Sequence, residues 1–207
     1  IALLQYTSGS TGTPKGVMVS HGNIVVNSEF LQRCFEYTQQ TVSASWLPRF
    51  HDMGLIEGVL QGIYWGFLTI TMSPVHFLQR PFRWLKAISK YKASHSGGPN
   101  FAFDICAEKI SEEEKNELNL SSLNCLYNGA EPIRESSFRK FDQAFRSCGF
   151  KKSSFSPCYG MAETTLIAAG ISVYSGVKYL SVSAKNYERG VISKADNVND
   201  KMVHVGV

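Results

Sequence analysis

The sequence predicts an α/β domain with a layered, mainly parallel sheet and flanking helices. Three observations carry this. Short β-branched or apolar runs alternate with longer amphipathic ones. The strand-like runs end in loops rich in Gly, Pro, Ser or Asn. A chain of 207 residues that is 43% hydrophobic and 18% charged can bury a real core.

Taken in order, residues 1–6 read as a short buried strand. A Gly/Ser/Thr loop then delivers the chain to Ser20, a hydroxyl placed to cap a helix over residues 21–36, giving strand, loop, helix. Val42, Ala44 and Trp46 alternate toward Leu47-Pro48 as a second strand. Residues 53–64 are apolar and helical despite Gly58 and Gly62, and residues 67–72 are strand-like. Pro81 starts an amphipathic helix through Lys90, with Phe82, Leu85 and Ile88 at helical spacing. Residues 101–110 continue as helix, and Ser111-Glu112-Glu113-Glu114 has the form of a capping box. Residues 123–127 form a strand, Pro132 starts a helix that Gly149 ends, and residues 155–159 are extended before Met161 begins another element. Beyond Gly170 the residues mix without clear period. Residues 1–170 are therefore expected to form the α/β core, with 171–207 outside the main sheet.

The composition narrows the function. A net charge of +4 with scattered Lys and Arg leaves no nucleic-acid footprint and suits a small anionic ligand. The five cysteines show no CxxC pair and no small-scaffold spacing, which argues against a zinc site or disulfide framework and fits a reducing, cytoplasmic setting. No apolar run approaches the about 20 residues of a membrane span. The chain opens at Ile1 inside an apolar run and is read as part of a longer polypeptide.

The loop TSGSTGTPKG carries the most chemistry. Glycines at 9, 12 and 16 let backbone N–H groups approach phosphate oxygens, Thr7, Ser8, Ser10, Thr11 and Thr13 add hydroxyls, and Lys15 adds a cation. It is not a Walker P-loop. Counting from Gly9, Pro14 falls on the second glycine and Gly16 on the magnesium-binding hydroxyl. Pro14 also lacks the N–H that this position supplies.

The segment YTSGSTGTPKGV resembles the signature loop of the adenylate-forming superfamily, which comprises acyl- and aryl-CoA synthetases, luciferases, peptide-synthetase adenylation domains and fatty acyl-AMP ligases. SWLPRFHDMGL (45–55), NGAEPI (128–133) and CYGMAETT (158–165) follow in the family's order. The resemblance implies ATP and Mg²⁺ as cofactors and the following site. Thr7, Ser8, Gly9, Ser10, Thr11, Gly12, Thr13, Lys15 and Thr164 would hold the phosphates. Asn128, Gly129, Ala130 and Glu131 would form a shelf for adenine, although the same residues also suit an ordinary strand-to-helix turn. Tyr159 would stack on the base beside Gly160 and Met161, and Glu163 with Thr7 would ligate magnesium. His51, with Asp52, would line the junction of acyl carboxylate and α-phosphate. A carboxylate is already ionised at neutral pH, so positioning suffices there and no general base is needed. Lys15, His51 and Glu163 are the residues expected to carry the reaction.

SWLPRFHDMGLIEGVLQGIYWG and GGPNFAFDIC (97–106) look most like fatty acyl-AMP ligases. That branch implies activation of a fatty acid to acyl-adenylate, with release of pyrophosphate, for transfer to an acyl carrier protein. Gly98 and Asn100 would approach the nucleotide and the acyl tunnel. Phe101 and Phe103 either line that tunnel or are plain core aromatics. Residues 171–200 would lie where the branch carries an insertion that hinders coenzyme A transfer. A fatty acyl-CoA ligase shares every motif named, and a truncated nucleotide-binding module without turnover is the alternative from another class. By resemblance the chain is a central part of the large N-terminal domain and turns over poorly by itself.

Overall fold

The computed structural model describes residues 1–7, 14–173, 175–195 and 198–206. The chain opens with an antiparallel ribbon, β1 (Leu3–Thr7) and β2 (Lys15–Val19), and continues into α1 (His21–Phe35). This departs from the expected strand, loop, helix. The Gly/Ser/Thr segment joins two strands paired from Leu3↔Val19 to Thr7↔Lys15, so Lys15 begins a strand instead of lying in the loop. The first strand is not buried either. Leu4 is 51% and Tyr6 64% exposed, because a two-stranded ribbon leaves one face uncovered. Ser20 caps α1 as expected, accepting the Asn23 N–H at 3.1 Å while Asn23 Oδ1 accepts the Ser20 N–H at 3.0 Å.

The elements that follow are β3 (Val42–Ser45), a π-helix (Met53–Leu60) running into α2 (Gln61–Trp65), β4 (Leu68–Thr71), α3 (Pro74–Gln79), α4 (Phe82–Tyr91), β5 (His95–Gly97), α5 (Asn100–Lys109), α6 (Glu112–Lys115), β6 (Cys125–Asn128), α7 (Glu135–Phe145), β7 (Phe155–Gly160) and β8 (Ile167–Gly170). The main sheet has the order β4-β3-β5-β6-β7-β8. It is parallel from β4 to β7 and antiparallel only at β8. The expected α/β class and mainly parallel sheet are both present.

Two later elements differ from expectation. The helix expected at Pro132 begins at Glu135, since Arg134 is extended at φ −111°, and it ends through a 3₁₀ turn at Gly149, whose φ of +83° suits glycine. After Met161 comes only one 3₁₀ turn, Ala162–Thr164, before β8. In the tail, β9 (Tyr179–Ser183) and β10 (Lys201–Val205) pair antiparallel, apart from the main sheet.

Side-chain alternation assigns the two sheet faces. On β5, Ser96 accepts the Trp84 indole N–H at 2.8 Å from α4, while its neighbour His95 lies against the Phe35 carbonyl of α1 at 2.7 Å. Helices α4, α5 and α7 thus share one face. That face is closed by Phe103, Phe138, Phe141 and Phe155, with Phe138 and Phe155 stacked at 4.1 Å. Each such fully buried ring contributes roughly 2–3 kcal/mol. On the other face, α1 and the π-helix stand off the strands far enough to leave a cavity.

Candidate active site

The cavity, of about 640 Å³, opens beyond the carboxyl ends of β3, β6 and β7 on the α1 face. That is where open α/β sheets bind ligands, because the strand-to-helix loops there present backbone groups and side chains together. Four stretches far apart in sequence meet on its wall: Thr7 from the ribbon, His51 and Asp52 after β3, Gly129 and Ala130 after β6, and Tyr159 to Glu163 from the end of β7. The ribbon is tied to the second stretch by Gln5, whose amide donates to the Phe50 carbonyl at 3.1 Å.

His51 Nδ1 lies 2.7 Å from Asp52 Oδ1, and the same oxygen accepts the Met53 N–H at 2.6 Å. The bond to Asp52 raises the His51 pKa against the opposing effect of burial, so the ring is more readily cationic. Glu163 is exposed on the cavity wall. Thr7 and Glu163 together are hard oxygen donors of the kind a magnesium ion accepts, since that ion keeps several waters and takes one or two carboxylates besides phosphate oxygens. Among the described residues no group of three or more His, Cys, Asp or Glu side chains could hold a metal without such help.

Backbone geometry around the wall is unusual. Ala130 has φ +69° and Thr165 φ +74° with ψ −56°, rare for side-chain-bearing residues. A Cβ on Gly160 would lie 1.8 Å from the Leu166 carbonyl oxygen, so the β7–β8 irregularity beside Tyr159 requires glycine.

Other expected site residues lie elsewhere. Ser8, Gly9, Ser10, Thr11, Gly12 and Thr13 fall outside the described residues. Lys15 stands on β2 opposite Thr7. Thr164 turns its hydroxyl to the Met161 carbonyl at 2.9 Å. Asn128 is buried and donates to the Gly98 carbonyl at 3.1 Å, and Asn100 clamps the following turn through the Pro132 carbonyl and the Arg134 N–H. Glu131 accepts the Phe101 N–H at 3.3 Å, and Phe101 packs edge-on to Trp46 at 5.8 Å. Phe103 is fully buried between Trp84, Phe138, Phe141 and Phe155, on the sheet face opposite the cavity. Of its two readings, the structure takes the core aromatic.

Two residues not singled out from the sequence shape the site. Asn27 on α1 donates to the carbonyls of Thr164 at 3.1 Å and Ile167 at 2.9 Å and accepts the Ile167 N–H at 3.1 Å, which fixes the turn carrying Glu163. Glu57, on the π-helix, lines the cavity although it is only 2% exposed. Tyr37 Oη donates to its Oε1 at 3.3 Å and Tyr127 Oη to its Oε2. Burial raises its pKa to about 7, with both tyrosine bonds opposing. A signal for Glu57 exists in IEGVLQG, where polar residues four apart interrupt an apolar helix.

Fold and cavity together define an adenylate-forming type of domain, and the chain belongs to the AMP-binding enzyme family, which it matches over residues 1–189. It is 43% identical over 202 residues to the medium-chain-fatty-acid–[acyl-carrier-protein] ligase TtuA of Teredinibacter turnerae, covering 97% of this chain and 32% of that protein. It is 39% identical over 199 residues to the like-named ligase JamA of Moorena producens, covering 95% and 34%. The crystal structure of a fatty acyl-adenylate ligase from L. pneumophila, in complex with acyl adenylate and pyrophosphate, superposes with a TM-score of 0.94 at 48% identity, covering 99% of this chain and 36% of that one. The chain thus spans about a third of the length of these relatives. No helix among the described residues is long and apolar enough to cross a membrane.

Proposed function

We propose that the whole protein activates a fatty acid with ATP, releasing pyrophosphate, and passes the acyl group from the acyl-adenylate to an acyl carrier protein. The observation that carries this is the convergence of Thr7, His51, Gly129-Ala130, Tyr159 and Glu163 on one cavity at the carboxyl ends of the strands. The relatives' names support the substrate and the acceptor.

The reaction brings two anions together. A substrate carboxylate oxygen bonds to the α-phosphorus as the bond to pyrophosphate breaks, so the protein's task is to hold charge and geometry. His51, whose pKa Asp52 raises, faces that junction. Tyr159 offers its ring to adenine over the small Gly129-Ala130 shelf. Lys15 and the residues from Ser8 to Thr13 hold phosphate oxygens, with Thr164 joining once its hydroxyl leaves the Met161 carbonyl. Thr7 and Glu163 would hold magnesium, which would supply neutralisation of the phosphate charge. Residues 1–170 serve as the ATP and acyl core, and 171–207 as an irregular segment that holds, over 171–200, the insertion disfavouring coenzyme A and then the start of the following subdomain, in a cytoplasmic enzyme.

The test is product analysis of the whole protein with fatty acid, Mg-ATP and coenzyme A. Acyl-adenylate that accumulates without thioester, and is discharged on adding carrier protein, is the expected result. Prompt acyl-CoA would overturn the choice of acceptor.

A further inference from the structure

We propose that Glu57 determines substrate specificity: with Tyr37 and Tyr127 it presents, on the inner wall of the cavity, a hydrogen-bond acceptor for a hydroxyl or ammonium donor carried on the substrate's carbon chain. The inference rests on the acyl-adenylate reading and names the class of acid that the site takes.

Glu57 lies five residues beyond Asp52, which caps the same helix, at most about 7.5 Å along its axis. Both line one cavity. A carboxylic acid whose head group sits at His51-Asp52 therefore runs its chain past Glu57. Leu31, Phe35, Met53, Leu166 and Ile167 give the wall apolar surface that suits a carbon chain. Glu57 is a buried carboxylate in the same wall. No ion pair found among the described residues includes it, so no cation of the protein compensates it.

An ionised carboxylate has about four acceptor positions. The tyrosines fill one on each oxygen, and both tyrosines are fixed. Tyr127 is stacked on Phe35 at 5.7 Å, and Tyr37 is held between Phe67 at 5.1 Å and His95 at 5.2 Å. Because both hydroxyls donate, the remaining positions on Glu57 accept in its ionised form, the state populated above about pH 7. A plain alkyl chain laid over them leaves these buried acceptors without a partner, which is costly. A chain bearing a donor at this depth pairs them instead. If Glu57 served only to brace the two tyrosines, acids with and without a donor would be handled alike.

That difference is measurable by ATP–pyrophosphate exchange with the whole protein and matched acids of roughly six to twelve carbons. Each length is supplied unsubstituted, hydroxylated or aminated along the chain. The expected result is a kcat/KM for a hydroxylated or aminated acid at least about tenfold above that of its unsubstituted counterpart. The Glu57→Leu change brings this ratio to about one or below, and Glu57→Gln, which keeps an acceptor oxygen, retains part of it. The wild-type ranking alone decides the matter should the leucine variant fail to fold. Equal or better use of unsubstituted acids, or a donor preference that persists in Glu57→Leu, overturns the inference and leaves acyl-adenylate formation standing. Exchange with no acid of any kind overturns the acyl-adenylate reading, and the inference falls with it.

Discussion

Thr7 and Lys15 stand directly opposite each other in the β1–β2 ribbon, so one hydroxyl and one ammonium flank the ends of the loop that joins the strands. Paired residues of an antiparallel ladder share a face, which lets both reach the same anion. Lys15 is exposed and has no packing role. Lys15→Ala should therefore lower kcat/KM for ATP by about 10²-fold while shifting stability by less than about 0.5 kcal/mol. Exchange kinetics beside a urea titration would check this. A large loss of stability with unchanged kinetics would refute the phosphate role.

Asn27 illustrates positioning at a distance. Its three hydrogen bonds join α1 to the backbone on both sides of the turn that carries Glu163, across 137 to 140 residues of sequence. Asn27→Leu keeps the size but strands the buried carbonyl and N–H of Ile167 and the part-buried carbonyl of Thr164, so it should cost about 2–4 kcal/mol. It should also lower adenylate formation in protein that remains folded. An unfolding free energy within about 0.5 kcal/mol of wild type would sink the assignment.

The legibility of the sequence follows from where the information sits. The segments 45–55, 128–133 and 158–165 are local runs ending at strand termini, so their convergence on one cavity is implied once the sheet is parallel. The ribbon is less legible. Leu3–Thr7 and Lys15–Val19 alternate only weakly, and a glycine-rich stretch conceals that they pair. β5 is hidden for another reason. His-Ser-Gly has no strand propensity and becomes a strand because β3 and β6 flank it on either side. Asn27 and Glu57 are polar residues inside helices. Sequence gives such residues a solvated default, and only the packing of α1 and the π-helix against the sheet shows them turned inward.

Glu163 tests the metal reading. It is exposed on the cavity wall, which Thr7 also lines. Glu163→Gln preserves shape and removes the charge that a hard cation needs. The expected outcome is a fall in adenylation rate of about tenfold or more together with a raised magnesium requirement, and unaltered thermal unfolding without nucleotide. Magnesium titrations of exchange activity would read it. A variant with the wild-type magnesium dependence would remove Glu163 from the metal site.

The pH dependence of stability should expose Glu57 through His95. Burial raises Glu57 from 4.5 to about 7, and burial lowers His95 from 6.5 to about 4, with the bond to the Phe35 carbonyl opposing. A raised carboxyl contributes stability that is complete below pH 4.5 and is lost as pH rises through 7, about 3 kcal/mol in all. A lowered imidazole contributes stability present above pH 6.5 and lost as pH falls through 4. Between pH 4.5 and 6.5 the two slopes oppose each other and nearly cancel. The other groups facing Glu57 are the hydroxyls of Tyr37 and Tyr127 and the thiols of Cys125 and Cys158, all raised by burial and so neutral across this window. His51, raised by Asp52, loses its contribution only above it. Glu57→Gln mimics the protonated acid and removes one of the two opposing slopes. Relative to wild type, the variant should then lose about 1.4 kcal/mol per pH unit on acidification from pH 6.5 to 4.5, as measured by urea unfolding at intervals across that range. A variant that tracked wild type throughout would show that Glu57 titrates in the fold as it does in the unfolded chain, and that its burial between the two tyrosines carries no energetic weight.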